Sequence, residues 1–239
     1  MSRGRKYGSG GRYPVLTGRP YQPSLLDDIS SVIGGVASYI KRTLSSPSPS
    51  TYKPRPSITR PYEVTFVISD THFSHERIRK YAKRPYRTTY GMNKSMVIKW
   101  NQSIFSQDTV YFLGDFAWSH IGYYITHLNG HKIFIRGNHD DKLHGTKKSA
   151  VVEYEDYTFL LIHNPEWITD WNGWVIHGHV HNKKPFIDLP RKRINVSVEM
   201  IGYRPVSLHR IVQTIRAMEK IDCRVARDRK HAAEIRRMA

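Results

Sequence analysis

The sequence predicts a layered α/β domain over residues 62–218. Three observations lead to this prediction. Short β-branched and aromatic runs alternate with amphipathic helical stretches, hydrophobic residues make up 39% of the chain, and aromatic residues make up 12%. Because common domains hold about 100–200 residues, a chain of 239 residues has room for one such domain and for additional terminal segments.

Seven short runs have the composition of β-strands. A helix is predicted after the first run, because Met92, Met96 and Trp100 recur at helical spacing. A last amphipathic helix begins near Leu208, has its final apolar position at Met218 and continues into a basic tail over residues 219–239. The runs predicted as strands are Glu63–Ser69, Val110–Leu113, Lys132–Ile135, Val151–Tyr154, Phe159–Ile162, Trp174–Ile176 and Ile194–Val198.

Residues 1–61 form a basic extension of different composition, and we expect most of it to be disordered. Apolar residues from Ile29 to Leu44 recur at helical spacing and predict a short amphipathic helix. This helix could dock on the domain, on another protein or on a membrane surface. Residues 45–61 are rich in Pro and Ser and read as a linker.

The net charge of +18 is concentrated at the two ends of the chain. Residues 1–61 carry ten Lys/Arg and two Asp, a net +8, and residues 204–239 carry ten Lys/Arg and four acidic residues, a net +6. Basic termini attract polyanions such as nucleic acid, an acidic membrane surface or an acidic protein. The alternative is that these basic segments are solvated tails that only increase solubility.

The cellular location is predicted from the cysteine content and from apolar runs. Cys223 is the sole cysteine, so an intrachain disulfide cannot form, which fits a reducing, cytoplasmic compartment. No apolar run approaches the ~20 residues that span a bilayer, and we expect no secretory signal. The Arg- and Ser-rich start leaves an organelle transit peptide or association with a virion as alternatives.

Side chains of the metal-binding type follow five predicted strands, where each strand ends. In Asp-X-His and His-X-His, alternate residues of an extended segment point the same way and can reach one site. Imidazole, carboxylate and amide groups without thiolate favour Mn²⁺, Fe or Zn²⁺ over a structural zinc. Gly114, Gly137 and Gly178 let the backbone turn tightly nearby. The metal-type residues are Asp70, His72, Asp115, Asn138, His139, His163, His179 and His181.

These residues fall into five blocks that resemble, in order, the motifs of the calcineurin-like metallophosphoesterases. The resemblance covers about residues 62–212 and is greatest for the short bacterial and phage-type phosphoesterases, which have stretches similar to SDTHFSHERIRKYAKRP, VYFLGDFAW and NVSVEMIGYRPVSL. The blocks are Asp70-Thr71-His72, Gly114-Asp115, Gly137-Asn138-His139-Asp140, His163 and Gly178-His179-Val180-His181.

The resemblance implies a fold of two facing mixed β-sheets flanked by helices. It also implies two divalent metal ions, Mn²⁺ in the first place, with Fe, Zn²⁺ or Ni²⁺ as alternatives. One ion would be held by Asp70, His72 and His181, and the other by Asn138, His163 and His179. Asp115 would bridge the two ions.

Further roles concern the phosphate. His139 would act as general acid or electrostatic stabiliser, and Asp140 is the neighbouring candidate for orienting it. In phosphoprotein phosphatases of the superfamily, Gly-Asp is followed by X-X-Asp-Arg-Gly, but this chain has Trp118, Ser119 and His120 there. This difference argues against a protein phosphatase. Candidates for holding the phosphate instead are His75, Arg136, His120 and Arg204. His75 could alternatively cap a helix that begins near Glu76.

The predicted function is hydrolysis of phosphate monoesters or diesters by a metal-bridged hydroxide. Nucleotides or nucleic acid are the expected substrates, because of the positive charge and the absent protein-phosphatase residues. The alternative is a structural or packaging protein that associates with nucleic acid and keeps an inactive phosphoesterase scaffold. The presence of every metal-type residue favours the enzyme.

Overall fold

The computed structural model describes the backbone of residues 62–238 and the side chains of residues 62–224. The disorder, the amphipathic helix and the linker predicted for residues 1–61 lie outside the described residues. The helices and strands are, in chain order, β1 (Thr65–Ile68), α1 (Ile78–Tyr81), α2 (Thr89–Ser103), β2 (Thr109–Leu113), α3 (Ile121–His127), β3 (His131–Ile135), β4 (Ser149–Tyr154), β5 (Tyr157–Ile162), β6 (Trp174–His177), β7 (Ile187–Asp188), β8 (Arg193–Asn195), β9 (Val206–Ser207) and α4 (Leu208–Met238).

Two mixed sheets form the frame of the domain. The first has the order β3-β2-β1-β9, with β1, β2 and β3 parallel and β9 antiparallel to β1. The second has the order β4-β5-β6-β8-β7, with β5, β6 and β8 parallel and an antiparallel strand at each edge. The predicted α/β class with two mixed sheets flanked by helices is confirmed.

The two sheets are joined by backbone contacts between the residues that follow β1 and those that follow β8. Ser69 and Ser197 form a parallel bridge. The N–H of Ser69 donates to the carbonyl of Val196 at 3.0 Å, and the N–H of Val198 donates to the carbonyl of Ser69 at 3.1 Å. The strand predicted over Ile194–Val198 therefore ends in the second sheet at Asn195. Val196 donates its N–H to His177 of the second sheet and accepts from Ser69, and Val198 then bonds to Ser69.

One apolar core joins both sheets and the helices. Residues Met92, Met96 and Trp100, predicted as a helical stripe, are buried on α2. This helix begins after Thr88, whose hydroxyl accepts a hydrogen bond from the N–H of Gly91 at 3.0 Å. The core side of α4 is apolar up to Met218, and the helix then continues to Met238, so the backbone of the predicted basic tail is helical.

The helix α3 and the two-residue strands β7 and β9 were not predicted from the sequence. Strands this short have no repeating pattern to detect, and α3 spans only two turns. Within residues 62–238, no helix combines the length and the apolar character needed to cross a membrane.

Lys99 is a cation buried on α2, with 5% of its surface exposed. Its ammonium group donates to the carbonyl of Gly202 at 3.1 Å and lies 5.0 Å from the ring centre of Tyr203. Burial, reinforced by the nearby charge of Arg204, lowers the pKa of Lys99 to about 8. The protonated form is therefore disfavoured in the folded state.

We expect the stability difference between Lys99→Met and the wild-type protein to depend on pH. The unfolded lysine, with a pKa near 10.5, binds more protons than the folded one between about pH 8 and 10.5, so the wild-type protein gains stability as pH rises through this window. The relative stability of the variant should fall by on the order of 2 kcal/mol across it.

Urea unfolding at several pH values measures this difference, and comparison with wild type cancels the other titrating groups. Lys220→Met, which removes an exposed lysine of α4, is the control for the loss of one positive charge. A difference between Lys99→Met and wild type that is independent of pH would contradict the prediction.

Candidate metal centre

The parallel strands bring the predicted site residues to one edge of the molecule. Asp70, Asp115 and Asn138 follow β1, β2 and β3, which are parallel neighbours. His163 and His179 follow β5 and β6, which are parallel neighbours in the second sheet. Because carboxyl ends of parallel strands share an edge and the sheets join beside Ser69, these residues meet.

Backbone conformation at this edge is unusual. Five of the predicted site residues have φ angles between 46° and 69°, in the left-handed region that residues with a Cβ seldom occupy. Such conformations cost about 1–3 kcal/mol each and collect at functional sites. The five residues are Asp70, His72, Asp115, His179 and His181.

Two glycines permit the close approach of the loops. A Cβ on Gly178 would collide with the side chains of Ser69 and Asp70. A Cβ on Gly137 would collide with the carboxylate of Asp115. The tight turns that the sequence predicted at these glycines are therefore packed directly against the two buried acids.

A first group of candidate metal ligands consists of Asp70, His72 and His181. The Oδ1 atom of Asp70 lies 3.8 Å from Nε2 of His181 and 4.0 Å from Nε2 of His72. The rings of His72 and His181 are stacked with their centres 5.3 Å apart. Their ligand atoms are too far apart to hydrogen-bond and near enough to share one cation.

A second group consists of Asp70, Asp115 and His163. Oδ2 of Asp115 lies 3.5 Å from Nε2 of His163 and 3.4 Å from Nε2 of His72. Asp115 thus stands between the two groups, as a bridging ligand would.

Asn138 and His179 complete the second group. Oδ1 of Asn138 lies 3.0 Å from Nε2 of His163 and 2.9 Å from Nδ1 of His179. The Nδ1–H of His163 is directed at the carbonyl of Leu113, 2.7 Å away. In a neutral His163 the lone pair of Nε2 then faces the oxygen of Asn138, an arrangement that a cation between them would stabilise.

Of the four buried side-chain polar atoms that lack hydrogen-bond partners within residues 62–224, two belong to the first group. They are Oδ1 of Asp70 and Nε2 of His72. A buried polar atom without a partner is costly, and a bound ion is one of the few explanations for it. The donor set of carboxylate, imidazole and amide therefore fits divalent metal ions.

The electrostatics agree with this fit. Burial keeps the pKa of His72 well below its usual value, so the ring is neutral and able to coordinate. Burial and the charge of Asp70 raise the pKa of Asp115, although His163 opposes this shift. Two buried carboxylates so close together need positive charge beside them.

Comparison with known proteins identifies a relative by sequence and another by structure. No protein-family model matches the sequence. A curated relative, the uncharacterized protein MJ1445 of Methanocaldococcus jannaschii, is 45% identical over 161 residues, which are 63% of this chain and 90% of the relative. The two proteins belong to one family.

A solved structure with the same fold is the protein of unknown function AQ665 from Aquifex aeolicus. It is 28% identical, has a TM-score of 0.53, and the match covers 64% of this chain and 99% of that protein. Wild-type Vps29 of Entamoeba histolytica, solved in complex with zinc, is 16% identical over 55% of this chain and 72% of its own, with a TM-score of 0.34. That score is too low to support any inference.

Five separate motif blocks converge at one edge of two mixed sheets. The chain belongs to the family of MJ1445. The two mixed sheets and the converging motif blocks agree with the predicted resemblance to the calcineurin-like metallophosphoesterases. MJ1445 is described as uncharacterized and AQ665 as a protein of unknown function, so these relatives leave the substrate open.

The candidate metal centre contains two residues that the sequence did not predict. Nδ1–H of His181 donates to both oxygens of Glu199, at 3.1 and 3.2 Å, which directs its Nε2 toward Asp70. Glu199 in turn accepts from Nε and Nη2 of Arg84, both at 2.8 Å. Such a carboxylate behind a histidine fixes its ring and tautomer.

Arg84 also secures the loop of the first motif. Its guanidinium donates to the carbonyl of Asp70 at 2.6 Å and to the carbonyl of Thr71 at 2.8 Å. Arg84 and Glu199 are both buried. Each lies in a stretch typical of the short phosphoesterases, but the two are 115 residues apart, and only the fold shows that they pair.

Asp140, predicted as a catalytic partner of His139, makes different contacts. Its buried carboxylate accepts hydrogen bonds from the N–H groups of Asp115, Phe116 and Gly137, at 2.7, 2.9 and 2.8 Å. Among the described residues, no hydrogen bond joins Asp140 to the ring of His139. These contacts make Asp140 a residue that positions the second and third motifs.

His139 lies at the exposed mouth of the site. Its N–H donates to Oδ1 of Asp115 at 2.9 Å, and its ring centre lies 5.6 Å from that of His72. The ring is therefore free to approach a bound substrate while its backbone is held by a buried acid.

The four residues predicted to hold phosphate lie in different places. His120 lines a cavity, with its Nδ1 2.9 Å from the hydroxyl of Ser119. His75 is at the site, 5.4 Å from His72 between ring centres. It does not cap α1, which begins at Ile78 with Arg77 in the capping position. The guanidinium of Arg136 pairs with Asp141 at the surface, at 2.7 Å.

Arg204 interacts with charged groups outside the histidine cluster. Its charge acts on Lys99 and Arg210, and its Nη2 is buried without a hydrogen-bond partner in the described part of the chain. No contact joins Arg204 to the candidate ligands among residues 62–224, so its predicted role in phosphate binding has no geometric support.

We expect Asp140→Ala to lower the free energy of unfolding by about 3–5 kcal/mol, because three buried N–H groups lose a charged acceptor. Asp141→Ala is the matched control. Its carboxylate is 80% exposed and pairs with Arg136 at the surface, so the loss should be below about 0.5 kcal/mol. Chemical unfolding of both variants measures the difference, and equal losses would contradict the assignment.

Proposed function

We propose that this protein hydrolyses phosphate esters with the help of two divalent metal ions. The observation that carries the proposal is the convergence of two buried carboxylates, neutral imidazole and amide groups around unpartnered ligand atoms, beside the exposed ring of His139. A structural metal site would have no need of an exposed imidazole at its mouth.

The proposed ligand sets follow the two groups. Asp70, His72 and His181 would hold one ion, and Asp115 would stand between it and a second ion. The distances of 3.4 and 3.5 Å from Oδ2 of Asp115 to one histidine of each group support this arrangement. Asn138, His163 and His179 would hold the second ion.

The chemistry is divided between the ions and the chain. When bound, divalent ions supply positive charge that offsets the charge on phosphate oxygens and acidifies water. His139 contributes a proton at a ring nitrogen, directed at the departing ester oxygen. Its backbone N–H bond to Asp115 keeps the imidazole at the mouth during this step.

The overall reaction is balanced by one water molecule. Its oxygen forms a new bond to phosphorus, and the bond from phosphorus to the ester oxygen breaks with its electron pair on that oxygen. His139 gives its proton to the departing oxygen and regains one from the proton that the water releases. No covalent bond to the protein is formed.

Nucleotides or nucleic acid are the proposed substrates. The net charge of +18 favours polyanions, and the basic termini are proposed to add affinity for nucleic acid. The residues Trp118, Ser119 and His120 stand where protein phosphatases of the superfamily have Asp-Arg-Gly, which supports a substrate other than a phosphoprotein.

We expect the purified protein to cleave p-nitrophenyl phosphate or bis(p-nitrophenyl) phosphate with Mn²⁺ and to lose this activity in a chelator. Asn138→Ala should lower kcat/KM more than about 100-fold. His139→Ala should lower kcat by about 100-fold or more without weakening Mn²⁺ binding, because it removes only the proton donor.

His144→Ala, which changes an exposed loop histidine, is the matched control and should retain full activity. A protein that binds Mn²⁺ but hydrolyses neither ester would contradict the proposal. It would favour the nucleic-acid-associated protein without catalysis.

We expect Glu199→Gln to weaken Mn²⁺ binding by about 10–100-fold, because His181 loses the carboxylate that fixes its ring. Arg84→Met should do the same by releasing Glu199 and the Asp70 loop. Calorimetric titration of the metal-free proteins measures the affinity directly. Glu166→Gln, which breaks a surface pair with Arg193, is the control, and a loss in the control equal to that of Glu199→Gln would refute the role.

A further inference from the structure

Trp118 is a large aromatic side chain that the proposed reaction does not use, and 53% of its surface is exposed. It is held in place on several sides. The backbone N–H of Trp118 donates to the carbonyl of Phe73 at 2.8 Å. The backbone of Phe73 also forms a parallel β-bridge with Ala117, the residue before Trp118. The ring of Trp118 stacks on that of His75, with centres 4.5 Å apart and an angle of 12° between the planes.

The position of Trp118 relates it to the reacting group. The ring of His139 lies 5.6 Å from that of His72, a candidate ligand, and 6.0 Å from that of Trp118. A phosphate at the metal centre within reach of His139 therefore has its ester group close to the indole. The ring of His75, which stacks on Trp118, has its centre 5.4 Å from the ring centre of His72.

A cavity of about 320 Å³ is lined by Ser74 and Ser119, the sequence neighbours of His75 and Trp118. Tyr90 and Asn93 also line it, and the amide of Asn93 is held there by hydrogen bonds to Ser74 and Tyr124. Pockets that bind organic groups combine this size with a few polar groups among aromatic ones.

We propose that Trp118 is a stacking platform for a flat ring in the group esterified to the phosphate, so that the site takes nucleotide-type substrates. The inference rests on the proposed function and names the substrate class. A rigid, half-covered indole loses little conformational freedom on binding, and its π face attracts flat rings of any base. An alkyl ester would not gain this interaction.

A second exposed tryptophan provides the comparison within the same molecule. Trp167 is 49% exposed, and its ring lies 6.0 Å from that of His163, tilted by 52°. Trp167 therefore lies close to the metal centre as well, but its nearest ring contact is tilted rather than stacked. The two tryptophans can be tested against each other.

The experiment uses phosphonates, whose carbon–phosphorus bond the proposed reaction does not cleave. Three phosphonates share the charged group and differ in the group attached to phosphorus. Phenylphosphonate carries a flat ring, cyclohexylphosphonate a ring of similar size that is not flat, and methylphosphonate a small alkyl group. Their Kd values for the full-length, Mn²⁺-loaded protein are measured by calorimetry. Wild type should bind phenylphosphonate more tightly than the other two.

Trp118→Ala should weaken phenylphosphonate binding about fivefold and leave methylphosphonate unchanged, whereas Trp118→Phe should retain most of the preference for the flat ring. Trp167→Ala should leave the preference intact. An unchanged preference in Trp118→Ala, or its loss in Trp167→Ala alone, would overturn the inference while the phosphate site stands. Failure of all three phosphonates to bind wild type would overturn the proposed function and the inference together.

Discussion

The junction of the two sheets at Ser69 is the constraint on which the site depends. Ser69 bonds through its backbone to Val196 and Val198, which follow β8 of the other sheet, and its hydroxyl donates to the carbonyl of Leu113 at 2.6 Å. This residue directly precedes Asp70 and leaves no room for a side chain at Gly178. The loops that carry the candidate ligands therefore meet because three strands are held together at one residue.

A second constraint is electrostatic. Asp70 and Asp115 are almost completely buried, and the neighbouring histidines are held in fixed orientations by Leu113 and Glu199. The only buried guanidinium of this cluster, that of Arg84, is engaged by Glu199 and two carbonyls. Among the described residues, the two acids and the oriented histidines therefore direct their ligand atoms at a shared space. The surrounding hydrogen bonds hold these groups in place although burying two carboxylates together is energetically costly.

Much of this arrangement could be predicted from the sequence, because the metal-type residues follow apolar strands at fixed spacing and the five blocks occur in order. The long apolar patterns, such as the stripe of α2, were also sufficient to predict helices. The pairing of Arg84 with Glu199 and the contacts of Asp140 could not be predicted. They depend on side chains from distant segments, and a sequence gives no distance between such segments. Arg136 and Asp141 are only five residues apart, and their pairing depends on the path of the loop after β3, which the sequence does not give.

The left-handed backbone at Asp70, His72, Asp115, His179 and His181 has a consequence for how the protein could change over time. Glycine at any of these positions would relieve steric cost, so in the absence of metal the most heat-resistant version of this fold is not the one that keeps the ligands. Laboratory selection for thermal tolerance of the metal-free protein would erode the cluster one residue at a time. Retention of activity would have to be selected separately, because stability and chemistry favour different residues at the same five positions.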